Sequence, residues 1–271
     1  MSGNEKKDDL ERIISFHEKA MLDKIEGLSS GQRRKFQRGA VLSSVSRYHK
    51  AIGVRSYFID NDVSGFKQNY SLSIKLALAS VGEAGGCSFD TGAEIEVALL
   101  SDNVDMLDQV LRLKQEQFAR HRHDPLSNDF HLYMIHLAIR GDDEQIAEMI
   151  GRIAKNGRKP LRTECAEQRD FYSLLLKQDK PALEDLIQTK HASLKSHDPI
   201  DEDFISYYGA LETKLCWHRG ITVQIDHPLI PMELMPVKPL DHYDDVYDFL
   251  KPGWVPPPRG LIGRVFRWFK T

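Results

Sequence analysis

The chain has little of what holds secreted or membrane proteins together. Its three cysteines, Cys87, Cys165 and Cys216, are far apart and odd in number. They offer neither a disulfide framework nor zinc-ligand spacing, which points to a reducing, cytoplasmic setting. No apolar run approaches the roughly eighteen residues of a transmembrane helix. The opening MSGNEKKDDLERI lacks the apolar stretch of a signal peptide. Catalytic signatures are missing too. There is no Ser/His/Asp or Cys/His pattern, zinc-protease motif, Walker loop or paired catalytic carboxylate motif. The glycines of GEAGGC at 82–87 lack phosphate-loop spacing and follow a helical stretch, so they read as a turn. His121, His123 and Asp124 fall short of a convergent metal set and read as surface residues of a loop. The expectation is a protein that is not an enzyme and carries no cofactor or metal. A site unrecognised in sequence is the remaining alternative, and a deep pocket lined by Tyr133, His136, Tyr172 or Tyr208 beside a perturbed acid would favour it.

An excess of either charge sign is also missing, with a net of −3, so the balance demands neither nucleic acid nor membrane. It is segregated, however. Residues 28–56 carry Arg33, Arg34, Lys35, Arg38, Arg47, Lys50 and Arg55 with no acid, and residues 90–111 carry Asp90, Glu94, Glu96, Asp102, Asp105 and Asp108 with no base. Such blocks are solvated faces, guides for a charged partner, or partners of each other within the fold.

What the chain does have is a repeated helical hairpin. EIEVALLSDNVDMLDQVLRL, YMIHLAIRGDDEQIAEMIGRI and FYSLLLKQDKPALEDLIQTK align between Glu94 and Lys190. Leu100, Ile139 and Leu176 coincide at the ends of the first helices. The second helices carry Leu107, Val110, Leu111; Ile146, Met149, Ile150; and Leu183, Leu186, Ile187 at i, i+3, i+4 spacing. Asn103, Asp142 and Asp179 stand where a side-chain oxygen caps each second helix. The pattern predicts an all-α fold of stacked antiparallel hairpins, a tetratricopeptide-like array at about 92–192 without the tetratricopeptide consensus. A helical domain with chance hairpins is the plainer alternative.

Around the array, residues 5–26 read as an amphipathic helix. A second helix runs from about Gln32 to Ile52 and stops at Gly53, a third is strongest at 69–81, and another spans 201–219 with Gly220 after its end. The basic side of the second helix reads as facing solvent or the acidic segments, not phosphates, so no direct nucleic-acid binding is expected. ITVQID at 221–226 reads as a short strand or an extended segment. Four prolines, Pro228, Pro231, Pro236 and Pro239, then hold the chain extended. One helical domain is expected over 1–250. Residues 251–271 then form a Pro-rich linker and a basic amphipathic tail. That tail docks on the protein, pairs with a second copy as a homodimer, or lies on an anionic membrane.

DFISYYGALETKLCWHRGITVQIDHPLIPMEL at 203–234 resembles the C-terminal signature of the immunity protein 49 family of bacterial polymorphic toxin systems. The parts that carry the resemblance are Gly209-Ala210-Leu211, Arg219-Gly220-Ile221, Val223 to Asp226, and Leu229-Ile230-Pro231-Met232-Glu233-Leu234. The resemblance implies a cytoplasmic, non-enzymatic protein that neutralises a cognate toxin by direct contact. A basic nuclease is one toxin that acidic patches would suit. The expected contact residues are Asp102, Asp105 and Asp108, with Asp241, Asp244, Asp245, Tyr247 and Asp248. A scaffold with partners unrelated to toxins is the alternative. A closing segment whose aromatics pack on the array is the plainer reading of 241–258.

Overall fold

The computed structural model describes residues 3–29, 37–251 and 253–255. Over these residues the protein is all-α, with twelve α-helices and no strand. The helices are α1 (Gly3–Ser29), α2 (Arg38–Phe58), α3 (Val63–Ser80), α4 (Ala93–Ser101), α5 (Val104–Arg112), α6 (Gln115–His121), α7 (Asn128–Arg140), α8 (Asp143–Asn156), α9 (Leu161–Ala166), α10 (Phe171–Lys177), α11 (Lys180–Leu186) and α12 (Tyr207–His218). The amphipathic tail and Gln32 to Phe36 lie outside the described residues.

Each aligned segment forms two helices with a tight break: α4–α5, α7–α8 and α10–α11. The Asn103 side chain accepts from the Met106 N–H, Asp142 from Gln145, and Asp179 from Ala182. Each bond satisfies one of the donors left free at a helix start, and each is worth about 1 kcal/mol. The second-helix triplets face inward, with Val110, Leu111, Ile146, Met149, Ile150, Leu183, Leu186 and Ile187 buried. The short helices α6 and α9 fill the connections between hairpins. Their few residues give no periodicity to read.

Two boundaries differ from the sequence reading. α2 runs through Gly53 to Phe58. Gly53 lies against Tyr70 of α3, and a Cβ there would stand 2.7 Å from the ring. The glycine thus permits close packing of α2 on α3 and does not end the helix. The last helix starts at Tyr207 and not at 201, because Ser206 caps it through the Gly209 N–H. Gly220 does adopt the left-handed conformation after α12, at φ +78°.

α12 packs against α4, α7 and the π-helical turn Ile187–His191. Residues 221–226 then run extended. Ile221, Val223 and Ile225 are buried in alternation, yet no second strand pairs with them. Side chains take the ladder's place. The Gln224 N–H donates to Glu184 Oε1 at 2.7 Å, and Gln188 bonds Asp226 through both its amide oxygen and its amide nitrogen, at 2.8 and 2.9 Å.

The following proline-rich segment, 227–240, is a strap held by buried charge. Asp102 ends α4 in the left-handed conformation at φ +56°. Its carboxylate accepts from Lys67 of α3 at 2.8 Å and from Lys214 of α12 at 2.7 Å. Lys67 also donates to the Lys238 carbonyl at 2.6 Å, Lys214 donates to the Leu234 carbonyl at 2.8 Å, and the Lys238 N–H returns to Asp102 at 3.2 Å. A chain rich in proline forms neither helix nor ladder, so its carbonyls need other donors, and the two lysines supply them.

The basic block of α2 meets acids within the fold. Arg47 pairs with Asp198 at 2.8 Å, and buried Lys50 pairs with Asp198 and Asp201. Arg38 pairs with Glu83, and Arg55 with Glu11 and Asp60. Glu96 lies buried near this group with Oε1 unpartnered. Burial first, and the Asp201 charge second, hold its carboxyl well above the usual range.

Two stability predictions follow from this interior. Asp102→Asn keeps a side chain suited to the left-handed conformation but removes the charge between two buried lysines. It should cost about 3–5 kcal/mol in urea denaturation, and a loss below about 1 kcal/mol would contradict this account. Buried His136, edge-on to Phe118 at 4.9 Å, is held at about 4 by burial and then by Arg140. Its unfolded value is about 6.5, so its share of stability is complete above that pH and lost as pH falls toward 4. His136→Phe should flatten the urea-midpoint profile across that window by up to about 1.4 kcal/mol per pH unit relative to the parent.

Candidate functional site

Two places bring chemistry together: the acidic stretch that ends the strap, and a pocket between α7, α10 and α12. The acidic stretch is fixed from beneath. The Tyr243 hydroxyl donates to the Ser101 carbonyl at 2.7 Å. Gln68 of α3 exchanges two hydrogen bonds with the Asp244 backbone, both 3.0 Å. The Asn69 amide donates to the Gly65 carbonyl, which turns its oxygen toward His49 Nδ1 at 2.9 Å. That ring nitrogen therefore carries the proton, and His49 Nε2 accepts the Tyr247 hydroxyl at 2.8 Å. Burial lowers the His49 pKa, partly offset by the Asn69 bond, which favours this neutral imidazole. Phe249 stacks on Tyr247 at 5.0 Å and is buried with Met21, Val41, Leu42, Val45 and Leu76.

The expected partner residues separate on this geometry. Asp241, Asp244, Asp245 and Asp248 are exposed, as are Asp105 and Asp108 on α5. Asp245 pairs with Lys75, Asp248 with Lys251 at 2.6 Å, and Asp108 with Arg112. Asp102 is a correction. It is buried and held by two lysines, so it shapes the strap and offers nothing to a partner. Tyr247 is half-buried with its hydroxyl on His49, so its ring anchors the strap inward. The contacts of Tyr243 and Lys238 with 101–102 set the acidic stretch beside the turn that precedes α5, which joins the two acidic segments of the sequence.

The pocket holds about 400 Å³. Leu132 and Ile135 of α7 and Leu211 and Leu215 of α12 supply apolar wall. Phe171, Tyr172, Tyr207 and Tyr208 supply aromatic wall. Its polar core is His191 Nδ1 against Glu212 Oε2 at 2.5 Å. Burial opposes a charged His191, but the hydrogen bond and charge of Glu212 outweigh it and raise the histidine's pKa. Burial likewise raises Glu212, with His191 offsetting part of the rise. The pair therefore holds a proton between its two members. Tyr172 and Tyr208, beside a perturbed acid, are two of the residues whose appearance in a pocket was to favour a ligand site. Tyr133 instead lines a smaller polar hollow with Arg122, His123 and Glu148, and His136 is buried. Sequence reasoning missed the pair, because His191 and Glu212 belong to different elements and neither sits in a motif.

Glu212→Gln removes the charge that holds the His191 proton while keeping the side chain's shape. His191 should titrate above 6.5 in the parent protein and drop in the variant, as read from its imidazole resonances. An unmoved titration would mean that the pair does not share its proton.

Among the described residues no helix is long and apolar enough to cross a membrane, and no group of three or more His, Cys, Asp or Glu is arranged to hold a metal ion. Comparison of the chain with protein-family models, with curated proteins and with solved structures finds no match.

Proposed function

We propose that the protein is an immunity protein of the immunity protein 49 type, one that binds a cognate bacterial toxin and neutralises it by direct contact. One observation carries this reading. Residues 239–250 contain four aspartates and no lysine or arginine, all four are exposed, and the backbone that bears them is fixed to α2, α3 and the end of α4. A pre-organised acidic surface attracts a basic partner and loses little conformational freedom on binding it. Asp105 and Asp108 are exposed on α5, the helix that follows Asp102. A basic toxin fits the acidic surface, and a nuclease that grips phosphates is one such toxin. The resemblance at 203–234 supports the same reading. Those residues build α12, the extended run and the start of the strap, and so the support for the acidic stretch. The toxin would meet the protein in the cytoplasm.

A second reading, binding or chemistry on a small molecule, is favoured by the pocket around His191 and Glu212. The scaffold reading has no observation of its own.

Affinity capture of tagged protein from its host, eluted by a salt step and identified by mass spectrometry, should yield one stoichiometric partner. That partner should be encoded nearby and toxic when expressed alone. Charge reversal at Asp244, Asp245 and Asp248 to lysine should weaken its binding by about ten- to a hundredfold and flatten the salt dependence, because exposed charges act within a screening length of about 8 Å. Asp245 and Asp248 are themselves ion-paired, so the double variant Asp241→Lys, Asp244→Lys serves as the second arm. Unchanged affinity in both would take the strap out of the interface, and a spread of housekeeping partners would replace the toxin reading with the scaffold.

A further inference from the structure

The aromatic pocket has a charge character that selects its occupant. Three carboxylates line it, from Glu164, Asp170 and Glu212, and no lysine or arginine does. Glu164 reaches Lys190 outside the lining at 2.9 Å, and Asp170 caps α10 through the Ser173 N–H at 3.1 Å. The lining histidines do not reverse the sign. Burial lowers the pKa of His131, whose Nε2 meets the Pro125 carbonyl, and His191 is matched to Glu212. An anion entering this space meets carboxylates in a poorly screened setting, whereas a cation meets attraction. The rings act in the same direction. Phe171 and Tyr172 meet edge to face at 5.3 Å and Tyr207 and Tyr208 at 4.7 Å, so ring faces point in more than one direction. The faces of such rings are electron-rich and attract ammonium groups. The volume is that of a small organic molecule, and the walls of α7 and α12 supply apolar area for its body.

We propose that this pocket binds a small organic cation, an amine or quaternary ammonium compound with an apolar body. The ammonium group sits against the tyrosine rings on the side of Glu212, and the apolar body lies against Leu132, Ile135 and Leu211. Tyr208, 48 % exposed, stands at the mouth. The pocket shares no residue with the acidic stretch at 239–250, so its occupancy and toxin binding through that stretch are tested separately.

The test uses the full chain and three probes that share a phenyl ring: benzyltrimethylammonium, benzyl alcohol and benzoate. Calorimetry or ligand-observed NMR should show the cation bound with a Kd of about 1 mM or tighter, and the neutral and anionic probes at least about tenfold weaker. Tyr208→Ala changes an exposed ring, and Glu212→Gln conserves shape. Each should weaken the cation by about tenfold, with thermal melts confirming that the variants fold. Should Glu212→Gln fail to fold, Tyr208→Ala decides. The cation should also lower the His191 titration in the parent, since a second positive charge beside Glu212 competes with the imidazolium. Benzyl alcohol binding as tightly as the cation would overturn the proposal. So would parent-like binding in the folded variants, or no binding of any probe at about 10 mM.

Discussion

The carboxylate of Asp102 is the point on which the arrangement of the chain depends. It lies at the end of α4, where only a few residue types accept a left-handed backbone, and aspartate is among them. Two ammonium groups, from α3 and α12, converge on it. One anion does not balance two cations in a dry interior. The excess is met by the carbonyls of Leu234, Pro236 and Lys238, at 2.8, 3.4 and 2.6 Å. Burial lowers the pKa of Lys214, and Lys67 adds to the fall, while Asp102 holds the proton in place. Apolar residues of the same volume would stabilise a helical core as well or better, since two charges must leave water for each pair formed. What apolar residues would not do is fix the register of a proline-rich segment that has no ladder of its own. The ion cluster does that. It ties α3, the end of α4 and α12 to alternate residues of the strap, Leu234, Pro236 and Lys238.

That constraint explains why the acidic stretch sits where it does. Beyond Lys238 the chain is handed from one polar anchor to the next: Ser101 takes Tyr243, Gln68 takes the backbone of Asp244, and His49 takes Tyr247. Tyr243 and Tyr247 hydrogen-bond inward and Phe249 is buried, while the four carboxylates stay outside with His242 and Val246. Most acids elsewhere in the chain are matched at close range. Asp198 and Asp201 answer Lys50, Asp90 answers Lys114, and Asp143 answers Arg219. Two of the strap acids are paired as well, Asp245 with Lys75 and Asp248 with Lys251 at 2.6 Å, so what the strap adds is four exposed aspartates within residues 241–248 on a fixed backbone.

The hairpins were legible because their signals are local. A capping Asn or Asp, an i, i+3, i+4 stripe and a glycine past a helix end act within a few residues, so Asn103, Asp142, Asp179 and Gly220 could be placed from sequence. Gly53 was misread for the same reason. Its partner, Tyr70, is on the next helix, and a glycine that admits a ring looks in sequence like one that ends a helix. Asp102 was taken for a surface acid because its neighbours Asp105 and Asp108 are surface acids, and nothing local announces two lysines from 35 residues before and 112 residues after it. ITVQID had the alternation of a strand, and the alternation was real. Whether a ladder forms depends on what lies alongside, and here that is the side chains of Glu184 and Gln188.

The pocket lies furthest from what a sequence can display, and its origin is a packing consequence. α12 comes from a later part of the chain and packs on α4 and α7. A helix laid across others of different lengths does not fill every space beneath it. Past its Ser206 cap α12 bears Tyr207 and Tyr208 in succession, and their rings line the space left between α12, α7 and α10. Glu212 lies one turn further along α12, which brings a carboxylate to the same side as the rings. The π-helical turn at Ile187–His191 widens the end of the third hairpin and brings His191 within reach of it. Such turns cost hydrogen-bond geometry and recur at functional sites. Here the irregular turn places a histidine against a buried acid inside an aromatic pocket, and a fold needing only to be filled would gain more from a leucine at either position.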